Sequence, residues 1–174
     1  GIPWVSTGDE AFAERPVIDT VVQQQGCYLV ALKDNLSDVK DYAQWAFSLD
    51  ACELDRHYSD SEVRSGEVWF WDIDTRPATP EMTNDFPDAT QFIRCQRTVI
   101  LKSTSELRSQ ETDYALTSAL ADAATLYRWW RGHWQIENCS HHKRDTIWRE
   151  DACRSQLAAH ALASFRTLVL SLFQ

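Results

Sequence analysis

An α/β fold is what this sequence predicts, and three observations predict it. An apolar strand pattern, a helical pattern and a second strand pattern succeed one another within the first 32 residues; several alternating strand patterns follow between 67 and 117; helical periodicity then governs the chain from 119 onward. The opening Ile2-Pro-Trp-Val-Ser-Thr7 has strand character, with Pro3 confining its start to an edge and Gly8 allowing a turn into Asp9. From Glu10, Phe12, Ala13, Val17, Ile18, Val21 and Val22 recur at helical spacing. Pro16 is tolerable only near the first turn, and Gly26 is the expected stop. Cys27-Tyr-Leu-Val-Ala-Leu32 is a continuous apolar run of strand length, as expected of a strand buried on both faces. Strand, helix, strand in this order implies a parallel crossover.

After a turn at Lys33-Asp-Asn35, Ser37 is positioned to cap a helix whose apolar face is Val39, Tyr42, Ala43, Trp45, Ala46 and Leu49. Strands are expected at 67–74, 91–101 and 113–117, separated by a Pro/Thr/Asp loop at 75–88 and a polar turn at 103–110; they read as antiparallel additions to the sheet. The expected organisation is therefore one globular unit over 1–174, strand-rich from about 64 to 117 and helical from 119 to 174. One helix leads through Tyr127 and Trp130 to Glu137 and another runs from about Cys153 to Phe173.

The 174 residues, 44% hydrophobic, suffice for one sizeable core. Five cysteines without a C-x-x-C pair suggest reduced thiols, and no basic leader precedes the short apolar start. His160 and Arg166 interrupt the last apolar helix, so the expectation is a soluble, cytoplasmic protein without a membrane span. The net charge of −9 argues against a whole-surface nucleic-acid footprint. It hides a local reversal: residues 128–154 hold six basic and four acidic side chains, a local +2, which leaves −11 for the rest of the chain.

That basic stretch carries the most informative pattern. Arg131-Gly-His-Trp-Gln-Ile-Glu137-Asn138 is followed by Arg144-Asp145 and then by Arg149-Glu-Asp-Ala-Cys-Arg154. A carboxylate at Glu137 beside Trp134 and Ile136 is costly unless paired, and a hard cation would offset that cost. Arg131 and Arg144 lie six and seven residues from Glu137, within about two helical turns if the helix is continuous. They are candidates for holding phosphate, or members of a surface ion-pair ladder. Asp9, taken alone, suits a turn or helix cap as well as a metal. Cys139, His141, His142 and Cys153 match no common zinc spacing, and Trp69-Phe70-Trp71 suits a core more readily than a base-stacking platform.

Together with Thr7-Gly-Asp9, Tyr28-Leu-Val-Ala-Leu-Lys-Asp-Asn35 and Tyr114-Ala-Leu-Thr-Ser118, these blocks make the chain resemble the C-terminal portion of the DDE insertion-sequence transposases of the H-repeat-associated (Rhs element) group. The resemblance implies a ribonuclease-H-like mixed sheet flanked by helices, with its N-terminal part missing. It further implies three carboxylates holding Mg²⁺ or Mn²⁺ for DNA cleavage and joining. Matched by motif, Asp9 is the second Asp and Glu137 the catalytic Glu, both catalytic and metal-binding. The first Asp has no counterpart in the chain. The family's His-Gly-Arg-x-Glu strand appears only as Ser65-Gly66-Glu67, and the segment after Glu-Asn is Ser140-His-His-Lys143. Arg131, His133, Asn138, Arg144 and Lys33 are the DNA-facing candidates, the partners being the element ends and the target DNA, with a homodimer as a candidate assembly. With two carboxylates of three, the expectation is a fragment inactive on its own. The alternatives are a non-catalytic remnant that binds DNA or a protein partner, and a small metal-dependent hydrolase recruiting Asp145, Glu150 or another chain for the third ligand.

Overall fold

The computed structural model describes residues 4–8, 14–49, 56–83 and 86–136. The chain divides into two compact units, 1–130 and 131–174, and the fold described is that of the first. Six strands form one mixed, curled sheet: β1 (Val5–Gly8), β2 (Cys27–Ala31), β3 (Arg56–Arg64), β4 (Glu67–Pro77), β5 (Gln91–Leu101) and β6 (Leu107–Thr117), in spatial order β1-β2-β6-β5-β4-β3. The described helices are α1 (Arg15–Gln23), α2 (Ser37–Ser48) and α3 (Ala123–Ile136). The chain is thus α/β, as its patterning predicts.

β1 and β2 are parallel and joined through α1, with Gly8 opposite Val30. Pro16 stands in the first turn of α1, where its missing N–H costs nothing. The helix does not stop on Gly26 as expected: the left-handed residue is Gln25, at φ 58°. Gly26 is required for a different reason. A Cβ there would stand 2.5 Å from the Trp4 indole, which packs against this turn. Nor does Ser37 cap α2. A 3-10 turn at Asp34–Leu36 leads straight into the helix, with Leu36 at the capping position, and the Ser37 hydroxyl donates to Asp38.

β3 to β6 form an antiparallel meander, and β6 pairs antiparallel with β2. Three boundaries differ from the sequence expectation. β3 was not anticipated at all; β4 extends to Pro77; and β6 begins at Leu107, so the polar turn shrinks to a few residues after Leu101. The strand-rich segment accordingly starts at 56. The hidden parts share a cause. β3 and the first half of β6 carry almost no buried apolar side chains, so they have strand geometry without the buried alternation that marks a strand in sequence.

Strand alternation sorts the core into two layers. On one face Tyr28, Val30, Leu32, Phe92 and Leu116 meet Ile18 and Val21 of α1 and Val39, Ala43, Ala46 and Phe47 of α2. On the other, Leu29, Trp71, Ile73, Ile93, Cys95 and Ala115 are buried, and Tyr127 of α3 lies 5.3 Å from Tyr58 and 6.3 Å from Trp71, ring centre to ring centre. The Tyr127 hydroxyl donates to Asp60 at 2.8 Å. Among the side chains of α3 that are described, Ala123, Leu126, Tyr127 and Trp130 are buried, at the i, i+3, i+4, i+7 spacing expected of a packed helix. Among the described residues, no helix is long and apolar enough to cross a membrane.

The β3–β4 hairpin turns on Ser65 and Gly66, at φ 47° and 86°, the two positive values that a two-residue hairpin loop with the twist of its strands demands. Replacing Phe92, fully buried between α2 and the sheet, by Ala is expected to lower the unfolding free energy by about 4 kcal/mol. Gly66→Ala, which changes only turn strain, is expected to cost about 1 kcal/mol. Urea unfolding followed by tryptophan fluorescence measures both, and a Phe92→Ala loss no larger than that of Gly66→Ala would contradict this core.

Candidate functional site

The two parallel strands end side by side, β1 at Gly8 and β2 at Ala31. Asp9 follows β1 in sequence but lies outside the described residues. Lys33 follows β2 by two residues, is exposed, and its carbonyl accepts the Leu36 N–H at 3.0 Å. Arg131, half-buried, stands in the later part of α3, and a Cβ on the adjacent Gly132 would meet nothing within 4 Å. His133 belongs to the same helix, but its side chain lies outside the description. Glu137, Asn138 and Arg144 also lie outside the described residues. Of the seven predicted site residues, then, the side chains of Lys33 and Arg131 are described, the first in one compact unit and the second in the other. No group of three or more His, Cys, Asp or Glu able to hold a metal ion occurs among the described residues.

The approach to α3 is better defined. Thr117, fully buried at the end of β6, donates through its hydroxyl to the Tyr28 carbonyl at 2.6 Å and accepts the Ala119 N–H at 3.1 Å. The Ser118 hydroxyl oxygen accepts the Tyr28 N–H at 3.0 Å. The Thr90 hydroxyl reaches the carbonyls of Thr117 and Ala119, and the Gln91 side-chain oxygen accepts the Ala121 N–H at 3.2 Å. Asp122 then caps α3, accepting the Thr125 N–H at 2.8 Å, and that bond holds its carboxyl below the usual range. Tyr28 and the Tyr114-Ala-Leu-Thr-Ser118 block, singled out in the sequence, therefore meet at one seam that fixes where α3 begins.

A second polar centre was not anticipated. On the sheet face that carries α2, Asp74 of β4 is almost wholly buried. One of its oxygens accepts His57 Nδ1 at 2.7 Å, while the other accepts Arg94 Nε at 3.1 Å and Nη2 at 2.6 Å. Arg94 in turn lies over the Phe47 ring at 5.0 Å. His57 Nε2 meets the Ser59 hydroxyl at 2.8 Å, and that hydroxyl donates to Asp72. Asp74, His57 and Ser59 have the connectivity of a nucleophilic relay, yet the proton such a relay would pass to His57 is already given to Asp72. The network ties three strands together. The signal that could have found it is the alternation in Trp71-Asp-Ile-Asp74, where the aspartates share one face and the apolar residues the other.

On the opposite face, Trp71 is buried, and the Arg64 and Arg97 guanidinium groups each stack over Trp69 at 5.3 Å. These tryptophans pack the sheet with ring centres 5.9 Å apart. The two cysteines described are Cys27, half-buried, and Cys95, buried.

Two measurements follow from this electrostatic layout. Asp74→Ala leaves Arg94 and His57 without their shared acceptor in a mostly buried place, and is expected to cost about 3 kcal/mol of stability. The Arg94→Met, Asp74→Ala double variant should lose less than the sum of the two single variants, and strict additivity would mean that the two side chains are not coupled. Burial pushes the Asp113 carboxyl up, against the downward pull of Arg97. The folded state then keeps this proton to higher pH than the unfolded chain, so the group's contribution to stability falls as pH rises from the ordinary carboxylate value through the raised one. Asp113→Asn removes that fall, and its denaturation midpoint should rise relative to wild type between about pH 3 and pH 7. A difference that does not change with pH would refute the assignment.

Compared with known proteins, the sequence matches no family model and no curated protein.

Proposed function

We propose that the chain is a portion of a DDE-type transposase catalytic domain with a ribonuclease-H-like sheet, and that Asp9 and Glu137 are two of its metal ligands. The observation that carries this reading is the β1–α1–β2 unit. Its parallel strands end together at Gly8 and Ala31, Asp9 follows the first directly, and ligands of α/β sheets gather beyond such carboxyl ends. Supporting it, the seam at Tyr28, Thr117 and Ser118 sets the start of the helix that carries Arg131 and leads in sequence to Glu137. Two carboxylates form a hard-oxygen donor set that fits Mg²⁺ or Mn²⁺. Bound there, such an ion would stabilise charge during phosphodiester displacement. Lys33, Arg131 and Arg144 supply cations for phosphate, with His133 and Asn138 as polar contacts to the DNA.

The test is Mn²⁺ calorimetry at low salt, with a short DNA duplex present, on the chain and on its Asp9→Asn, Glu137→Gln variant. Binding in wild type that is lost in the variant is the expected result, together with a supercoiled plasmid left uncut, because two of the family's three carboxylates are matched in this sequence. Absence of binding in both proteins would sink the metal-site reading and favour a remnant that binds DNA or a protein partner without chemistry.

A further inference from the structure

The outward face of α2 departs from the usual division of a surface helix. Its inward residues, Val39, Ala43, Ala46 and Phe47, are buried against the sheet. Asp38, Asp41, Tyr42 and Trp45 stand at the i, i+3, i+4, i+7 positions of the opposite face and line an open cleft of about 490 Å³. Two large aromatic rings there remain uncovered, Tyr42 at 45% exposure and Trp45 at 51%, and Leu49 extends the patch just beyond the helix at 42%. Scattered exposed apolar residues need no explanation, but a contiguous aromatic stripe beside carboxylates selects a ligand type.

The chemistry of that selection is specific. The face of an indole or phenol ring attracts a cation through its quadrupole, and a carboxylate attracts it through its charge. Asp38 and Asp41 border the same cleft as Tyr42 and Trp45, so both attractions act on one bound group. The basic residue within α2, Lys40, is engaged by Asp34 at 3.0 Å. An anionic ligand, nucleic acid included, is repelled by this pair of aspartates. A long side chain with a cationic head and an apolar stem satisfies every element of the surface, its stem lying over the rings and its head meeting the carboxylates.

We propose that the α2 face is a docking surface for an arginine- or lysine-bearing segment of a partner protein, with Trp45 and Tyr42 holding the side chain and Asp38 and Asp41 its charge. The proposal does not depend on the metal-site reading, since it uses none of the same residues.

The experiment is fluorescence anisotropy of a labelled hexa-arginine peptide titrated with the whole chain at near-physiological salt. Asp38→Asn combined with Asp41→Asn should weaken binding. Trp45→Ala, which leaves the net charge unchanged, should weaken it about tenfold. Glu14→Gln combined with Glu106→Gln, exposed carboxylates elsewhere on the chain, should leave it nearly unchanged. Because Tyr42 and Trp45 point outward, thermal melts of the variants should match wild type, which excludes misfolding as the cause. No peptide binding, or binding that follows total charge and ignores Trp45→Ala, overturns the proposal. So does a labelled DNA duplex that depends on Trp45, or a dimer in sedimentation that Trp45→Ala dissolves, since either assigns the surface to a different occupant.

Discussion

Everything in the first compact unit hangs on the antiparallel contact between β2 and β6. Three register pairs, Leu29 with Thr117, Val30 with Leu116 and Ala31 with Ala115, join a parallel β-α-β unit to a four-stranded meander that otherwise pairs only with itself. So short a ladder is reinforced by side chains: Thr117 and Ser118 both bond the backbone of Tyr28, and the Tyr28 phenol donates to the Pro87 carbonyl at 2.9 Å. Burial pushes that phenol's pKa well above the ordinary tyrosine range, which favours its protonated, hydrogen-bond-donating form. Both faces of the seam are buried, with α1 and α2 packed on one side and Leu29, Ala115 and Thr117 shielded on the other. Its polar groups are internally paired because there is no water to pair them.

Away from the seam the same sheet changes character. The meander runs outward from a buried apolar root toward an edge strand, β3, whose side chains are mostly exposed and polar. What fastens that edge is cross-strand electrostatics: His57 and Ser59 against Asp74 and Asp72 on one face, and Arg64 over Trp69 and Trp71 on the other. Charge on an unpaired strand edge also discourages pairing with another chain, so the residues that attach β3 protect it as well. The molecule's net negative charge is expressed on α2 as an aromatic and acidic surface, while its locally basic sequence lies from 128 onward.

How much of this could be read from sequence followed burial closely. β2 was legible because Tyr28, Leu29 and Val30 are all buried, so the apolar run is continuous. The central halves of β4 and β5 were legible because Trp71 and Ile73 are buried on either side of the half-buried Asp72, and Ile93 and Cys95 on either side of the half-buried Arg94. Arg-His-Tyr-Ser-Asp-Ser-Glu-Val-Arg, the whole of β3, was not, since a strand made by pairing to its neighbour need not bury a periodic apolar set. The Gly26 stop failed because a close approach by Trp4, and not a helix cap, requires the missing side chain. For the candidate site, Asp9 and Glu137 came from motif alone. Asp74 and Arg94 are invisible to motif reading, because their partnership is set by register and not by any spacing along the chain.

The seam has a consequence for the order in which the molecule assembles. Its two hydrogen-bonded ends, Tyr28 and Ser118, are separated by 90 residues, whereas the β3–β4 hairpin closes over two. Closing a long loop costs entropy before any contact repays it, and chains dominated by distant pairings fold slowly. The meander can form from neighbouring hairpins, but β1 and β2 gain their antiparallel neighbour only after β6 has been made. On a ribosome, β1 and β2 would therefore wait for nearly a hundred more residues before β6 emerges, with Leu29 and Val30 uncovered by the sheet that eventually buries them.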